Sequence, residues 1–193
     1  APKRRLFYID LRGRFMSRTK QPVGFDQDVR DLAAVMTTLG LESADLFAHS
    51  HGGFVAAAFA RAYPGRVKKL ILCATPWGET QEEVDLRVLK SPAAARAETT
   101  EDRRRVRESL YFFGLPDKES KRYYDKVIEW HESTVADEFR RAYQAPAAVP
   151  GIEELKSLKC PLMFLAGRDD PHTSTVKLYE ASRELDPQAR VAV

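Results

Sequence analysis

Two apolar runs of strand length, Ala44-Asp45-Leu46-Phe47-Ala48-His49 and Val67 to Ala74, are separated by an alanine-rich stretch from Gly52 to Tyr63 that Pro64-Gly65 terminates. Parallel strands cannot be joined by a tight hairpin; they need a crossover of about a dozen residues, usually a helix. This spacing therefore commits the chain to a strand–helix–strand unit and to a sheet with helices on its faces. The alternation continues on both sides. Between Phe25 and Leu39, the residues Val29, Leu32, Ala33, Val35, Met36 and Leu39 recur at helical spacing, and Gly40 follows as a C-cap. Leu6-Phe7-Tyr8-Ile9-Asp10, closed by Gly13, reads as a further buried strand. Pro161 to Ala166 predicts a strand, Ser174 to Leu185 a helix, and Arg190 to Val193 the start of another strand. The expectation is an α/β fold with a mostly parallel sheet of about five strands.

Between residues 79 and 148 the alternation gives way to a charged, helical pattern, with segments expected near 80–90, 101–112, 118–132 and 135–145. Residues 79–148 thus read as an inserted helical domain, and 1–78 with 149–193 as the core it interrupts. A chain of 193 residues with 44% hydrophobic content suits one buried core. Lys and Arg number 31 against 28 Asp and Glu, a balance too even to draw the chain to nucleic acid. The densest basic run, Arg103, Arg104, Arg105 and Arg107, is interleaved with Glu101, Asp102 and Glu108, as on a solvated helix face. Cys73 falls near the end of one expected strand and Cys160 at the start of another, too far apart for a disulfide. No apolar stretch approaches the ~20 residues of a membrane helix, so a cytoplasmic protein without a membrane partner is expected.

The chemistry concentrates in Ala48-His49-Ser50-His51-Gly52-Gly53, between a predicted strand and a predicted helix. A serine there sits on a tight turn, its hydroxyl above the sheet and the helix N-terminus beneath it, with the His51 N–H directed toward a developing oxyanion. The competing reading is that Ser50 only caps the helix. The segment resembles the nucleophile elbow, G-x-S-x-G, of the α/β-hydrolase family, with Ala48 at the first glycine. Asp10-Leu11-Arg12-Gly13 with Ser17 is similar to that family's D-x-R-G-x-G-x-S loop, Phe15 standing at the second glycine. Leu39-Gly40-Leu41 and Tyr63-Pro64-Gly65-Arg66-Val67 also look like the family.

The resemblance implies a serine hydrolase with Ser50 as nucleophile and Asp170, in Gly167-Arg168-Asp169-Asp170, as the acid of a triad; Asp169 is the competing choice. The family order is Ser, acid, His, which places the histidine beyond Val193. His49, His51, His131 and His172 do not occupy that position, and His172 is a weaker candidate for the base. The family's first strands and its H-G-x-P-G-like oxyanion motif have no counterpart before Leu6, so the resemblance describes a partial α/β-hydrolase. The implied reaction is acyl transfer on a small-molecule ester, thioester, amide or related carbonyl substrate, with no metal or organic cofactor. Residues 79–148 would form the family's helical cap, and Trp77, Tyr111, Phe112, Phe113 and Trp130 are the candidates to line its pocket; the competing reading is that each packs in the core, as aromatics at helical spacing usually do. The rival is a catalytically inactive module of the same fold that binds a ligand or a protein.

Overall fold

The computed structural model describes residues 4–80, 82–84, 86, 122, 125–126, 129–130, 133, 136, 138, 141–144, 151–168, 170, 172–186 and 191–192. Much of the expected insertion, including the segment near 101–112, therefore lies outside the described residues. The described elements are α1 (Phe25–Thr38), β1 (Ala44–His49), α2 (His51–Ala62), β2 (Val67–Cys73), α3 (Ile152–Lys156), β3 (Leu162–Leu165), α4 (Thr175–Leu185) and β4 (Val191–Ala192). The strands form one parallel sheet in the order β1-β2-β3-β4.

Each helix starts and stops for a local reason. Helix α1 buries Phe25, Asp28 and Met36, and Val29, Leu32 and Ala33 pack beside them against the core. It ends where Gly40 takes φ +66°. There Leu41 N–H reaches back to Met36 O at 2.8 Å and Gly40 N–H to Thr37 O at 3.0 Å, closing the last carbonyls in a Schellman arrangement. Helix α2 is apolar nearly all round, with Val55, Ala56, Ala57, Phe59 and Ala60 buried. Its alanines let it lie close to the sheet, as a helix covered on several sides requires.

The register of β1 against β2 jumps from Ala44↔Val67 to Asp45↔Lys69. Lys68 is thus an extra residue in β2, which reverses the alternation so that Val67 and Leu70, three apart, are both buried. Leu70 and Leu72 then join Phe59, Phe164, Trp77 and Leu178 in the core. Cys73 and Cys160 are both free thiols, as their separation in the strands predicts. Among the described residues no helix is long and apolar enough to cross a membrane.

The sequence expectation fails at Leu6–Asp10. This run forms no strand; Leu6 is 73% and Tyr8 93% exposed, so the described sheet has four strands. An apolar run becomes a buried strand only where neighbours take up its backbone N–H and C=O groups. No described residue takes up these backbone groups; the run is flanked by Arg4, whose Nη1 lies 3.5 Å from Asp45 Oδ2, and ends at Asp10, whose Oδ2 accepts the Met16 N–H at 3.3 Å.

Leu72 is fully buried whereas Val176, on α4, is 64% exposed. Leu72→Ala should cost about 2–5 kcal/mol of unfolding free energy, and Val176→Ala no more than about 0.5 kcal/mol, both read from urea denaturation midpoints.

Candidate active site

Strand β1 ends at His49 and helix α2 begins at His51, so Ser50 alone makes the turn between them. It does so at φ +51°, ψ −126°, on the side of φ that a side chain disfavours. The conformation is held by its backbone: Ser50 N–H donates to Cys73 O at 2.8 Å, and Ser50 O accepts from Gly53 N–H at 2.8 Å. Ser50 is exposed and its side chain makes no capping hydrogen bond to α2. A capping serine would spend its oxygen on the first helical turn; this one does not. The His51 N–H, at the first position of α2, has no intrahelical acceptor.

Asp170 follows β3, where its N–H closes a turn onto Gly167 O at 3.2 Å. Strands β1 and β3 flank β2, so Ser50 and Asp170 lie off the same carboxyl edge, with strand axes about 10 Å apart. Open α/β sheets build their sites there. Asp170 Oδ1 accepts the His172 backbone N–H at 2.8 Å, and His172 Nδ1 lies 3.8 Å from the same oxygen. Burial works to raise the Asp170 pKa, but the contacts with His172 outweigh it and hold the carboxyl below the usual range. His49 is within electrostatic reach of both residues. Its ring, although the residue keeps accessible surface, is surrounded by enough protein to push its pKa down; Asp170 opposes and His172 reinforces that shift. Asp169 and His131 lie outside the described residues.

Trp77, a candidate for the pocket wall, is 1% exposed and stacks edge-on against Phe54, with ring centroids 4.8 Å apart. It is a core residue here, and its indole Nε1 is buried without a hydrogen-bond partner among the described residues.

The sequence reading missed a polar cluster beside the elbow. Asp28, fully buried, places Oδ2 3.4 Å from Arg14 Nη1, 3.5 Å from Tyr143 OH and 3.7 Å from His51 Nε2. His51 Nε2 is 2.9 Å from Tyr143 OH, and the Arg14 guanidinium lies over the Tyr143 ring. Burial, with Asp28 adding to it, pushes the Tyr143 pKa up to about 12, so the phenol keeps its proton. The neighbouring Gln144 is tied to the loop before α1: its N–H donates to Val23 O and its O accepts from Phe25 N–H, each at 3.0 Å. Gly24 permits this, because a Cβ there would meet the Gln144 backbone O at 2.9 Å. A signal existed in the sequence. Asp28 falls on the stripe Phe25, Leu32, Met36, where a carboxylate has no place unless it has polar company.

In the loop after residue 10, Phe15 takes φ +44°. Gly13 N–H donates to Ser17 O at 2.8 Å, and the Phe15 ring packs on Trp130. Arg12 forks onto Asp31, Nη2 to Oδ1 at 2.7 Å and Nε to Oδ2.

Comparison with known proteins adds a frame to this geometry. The alpha/beta hydrolase fold family matches residues 2–193. Over 47 residues, 24% of this chain, the sequence is 51% identical to a 2-hydroxy-6-oxononadienedioate/2-hydroxy-6-oxononatrienedioate hydrolase of Paraburkholderia phymatum. Over 69 residues, 36% of this chain, it is 36% identical to the human (Lyso)-N-acylphosphatidylethanolamine lipase. These matches span only 16% and 20% of those relatives. A thermophilic esterase from Thermogutta terrifontis superposes with a TM-score of 0.61 at 26% identity, over 95% of this chain and 68% of that one.

The Arg12 fork holds the Asp31 carboxyl below its ordinary pKa, aided by Gln27 and opposed by burial. The pair therefore stabilises the fold in full above the unfolded carboxyl's value of about 3.9, and the contribution disappears as pH falls through the lower folded value. Asp31→Asn should melt below the wild type at pH 7, and the gap should narrow as the pH falls below the unfolded carboxyl's value of about 3.9, as followed by circular dichroism.

Proposed function

Because the chain belongs to the α/β-hydrolase fold family, we propose that it is the nucleophile-bearing part of a serine hydrolase acting on a small-molecule carbonyl substrate in the cytoplasm. The observation that carries this reading is Ser50 itself: exposed, at φ +51°, with a side chain that caps nothing. Strain of this kind costs about 1–3 kcal/mol and persists where the surroundings over-determine it, often at sites of function.

In the proposed reaction Ser50 Oγ attacks the substrate carbonyl carbon while a histidine, beyond Val193 in the family's chain order, takes the hydroxyl proton. The His51 N–H donates to the tetrahedral oxyanion. The intermediate collapses, the leaving group departs with the proton returned by the imidazolium, and water, deprotonated by the same imidazole, releases the acid and regenerates Ser50. Asp170, kept ionised by the donors around it, would orient the imidazole and stabilise its charged form. The relatives carry the names hydrolase, lipase and esterase, so we keep the scissile bond at the level of ester, thioester, amide or carbon–carbon bond next to a carbonyl. We further propose that residues 79–148 roof the site as a helical cap. The contacts of Tyr143 with His51 and of Trp130 with Phe15 support this.

A fluorophosphonate probe tests the reading. Intact-mass analysis of the full-length protein should show one adduct on the wild type and none on Ser50→Ala. A wild type that takes up no probe would overturn the hydrolase and leave a ligand-binding module of the same fold.

A further inference from the structure

Two residues other than Phe15 and the glycines take positive φ among the described residues, and they face each other across the sheet edge. One is Ser50; the other is Ala74, at φ +47°. Ala74 follows β2 directly, and its N–H still donates to Leu165 O on β3 at 2.8 Å. The kink at Ala74 carries the next residue, Thr75, under the elbow. Thr75 is 1% exposed, and its hydroxyl lies 3.0 Å from Ser50 O and 3.4 Å from Cys73 O. A hydroxyl has one proton to give, and the nearer acceptor is the Ser50 carbonyl. Space for this contact exists only because residue 53 is glycine: a Cβ there would fall 2.0 Å from Thr75 Oγ1.

The consequence follows from the planarity of the peptide bond. The Ser50 C=O and the His51 N–H are opposite ends of one rigid trans unit, so whatever fixes the direction of the carbonyl fixes the direction of the N–H. Thr75 holds the carbonyl from below, and the His51 N–H must then point the other way. Resting on the serine-hydrolase reading above, we propose that Thr75 is a positioning residue: its buried hydroxyl orients the Ser50–His51 peptide so that the His51 N–H meets the oxyanion. Gly53 N–H holds the same carbonyl at 2.8 Å. That bond belongs to the first turn of α2, however, and moves with the helix, whereas Thr75 ties the peptide to the sheet.

The effect belongs to the transition state, because the charge that the N–H meets appears only there. Loss of one oxyanion donor costs about 100- to 1,000-fold in kcat. A donor misdirected rather than lost should cost less, about 10- to 100-fold.

The test uses the full-length protein with p-nitrophenyl acetate and the fluorophosphonate probe. Thr75→Val, which replaces the hydroxyl with a methyl of similar size, should lower kcat and the labelling rate about 10- to 100-fold while KM stays within about twofold. Thr75→Ser, which keeps the hydroxyl, should stay within about threefold of the wild type on all three. Melting curves show that the variants are folded; if Thr75→Val is not, Thr75→Ala takes its place with the same expectation. A folded Thr75→Val at full kcat overturns the proposal. So does a rise in KM with kcat unchanged, or a Thr75→Ser as slow as the valine variant, since packing of the methyl would then be what matters. The two readings fail differently. A wild type unreactive to both reagents overturns the serine hydrolase and this proposal with it, whereas a reactive wild type, a silent Ser50→Ala and a fully active Thr75→Val overturn this proposal alone.

Discussion

The hydrogen bond from Ser50 N–H to Cys73 O is the contact on which the carboxyl edge depends. It continues the β1–β2 ladder one residue past the last strand pair, His49↔Cys73, so Ser50 is still part of the sheet on its N–H side. On its carbonyl side it already belongs to α2, through Gly53 N–H. A residue that serves both elements has no freedom in φ or ψ, and the strained conformation is the one that satisfies both. The cost of such strain, about 1–3 kcal/mol, is small beside the burial it secures. With the turn fixed, Phe59, Ala56 and Ala60 of α2 lie in one core with Leu70 and Leu72 of β2.

The same single-residue turn explains why small residues crowd the elbow. A helix that starts one residue after a strand must pass close to the end of the neighbouring strand, here the Cys73–Thr75 segment. Gly53 is the position of closest approach. The second strained residue, Ala74, answers the same constraint from the other strand, turning β2 aside while Thr75 stays beneath the helix start. Sequence, strain and packing are therefore not separate features of this edge.

How much of this was legible in the sequence depends on whether the determinant was local. The β1–α2–β2 unit and the Schellman end of α1 at Gly40 were, because spacing and one glycine specify them. The position of Ser50 was legible from small residues between a strand and a helix. Leu6–Asp10 was misread because an apolar run looks the same whether or not a neighbour exists to pair with it. The Lys68 bulge gave no sign, since only the register against β1 reveals it. Trp77 stood open between pocket wall and core, because nothing local distinguishes an aromatic that lines a cavity from one that fills the core. The Asp28 cluster draws on four separate stretches of chain and was missed, although a carboxylate on an apolar helix stripe is a signal that the sequence carries.

That cluster and the Thr75 contact grip the elbow from two sides. Thr75 holds the peptide that follows Ser50, while Tyr143 and Asp28 hold the side chain of His51. Asp28 is a poor source of stability: Oδ2 has partners only at 3.4 Å or beyond, and Oδ1 has none among the described residues. A buried carboxylate so loosely satisfied costs more in desolvation than it returns in attraction. What it contributes is direction, since Arg14, His51 and Tyr143 converge on it and the His51 ring is thereby fixed between Phe25 and Tyr143. In this turn the backbone of Ser50 and the side chain of His51 are both committed to partners. The Ser50 side chain, by contrast, makes no capping hydrogen bond to α2, and the residue is exposed.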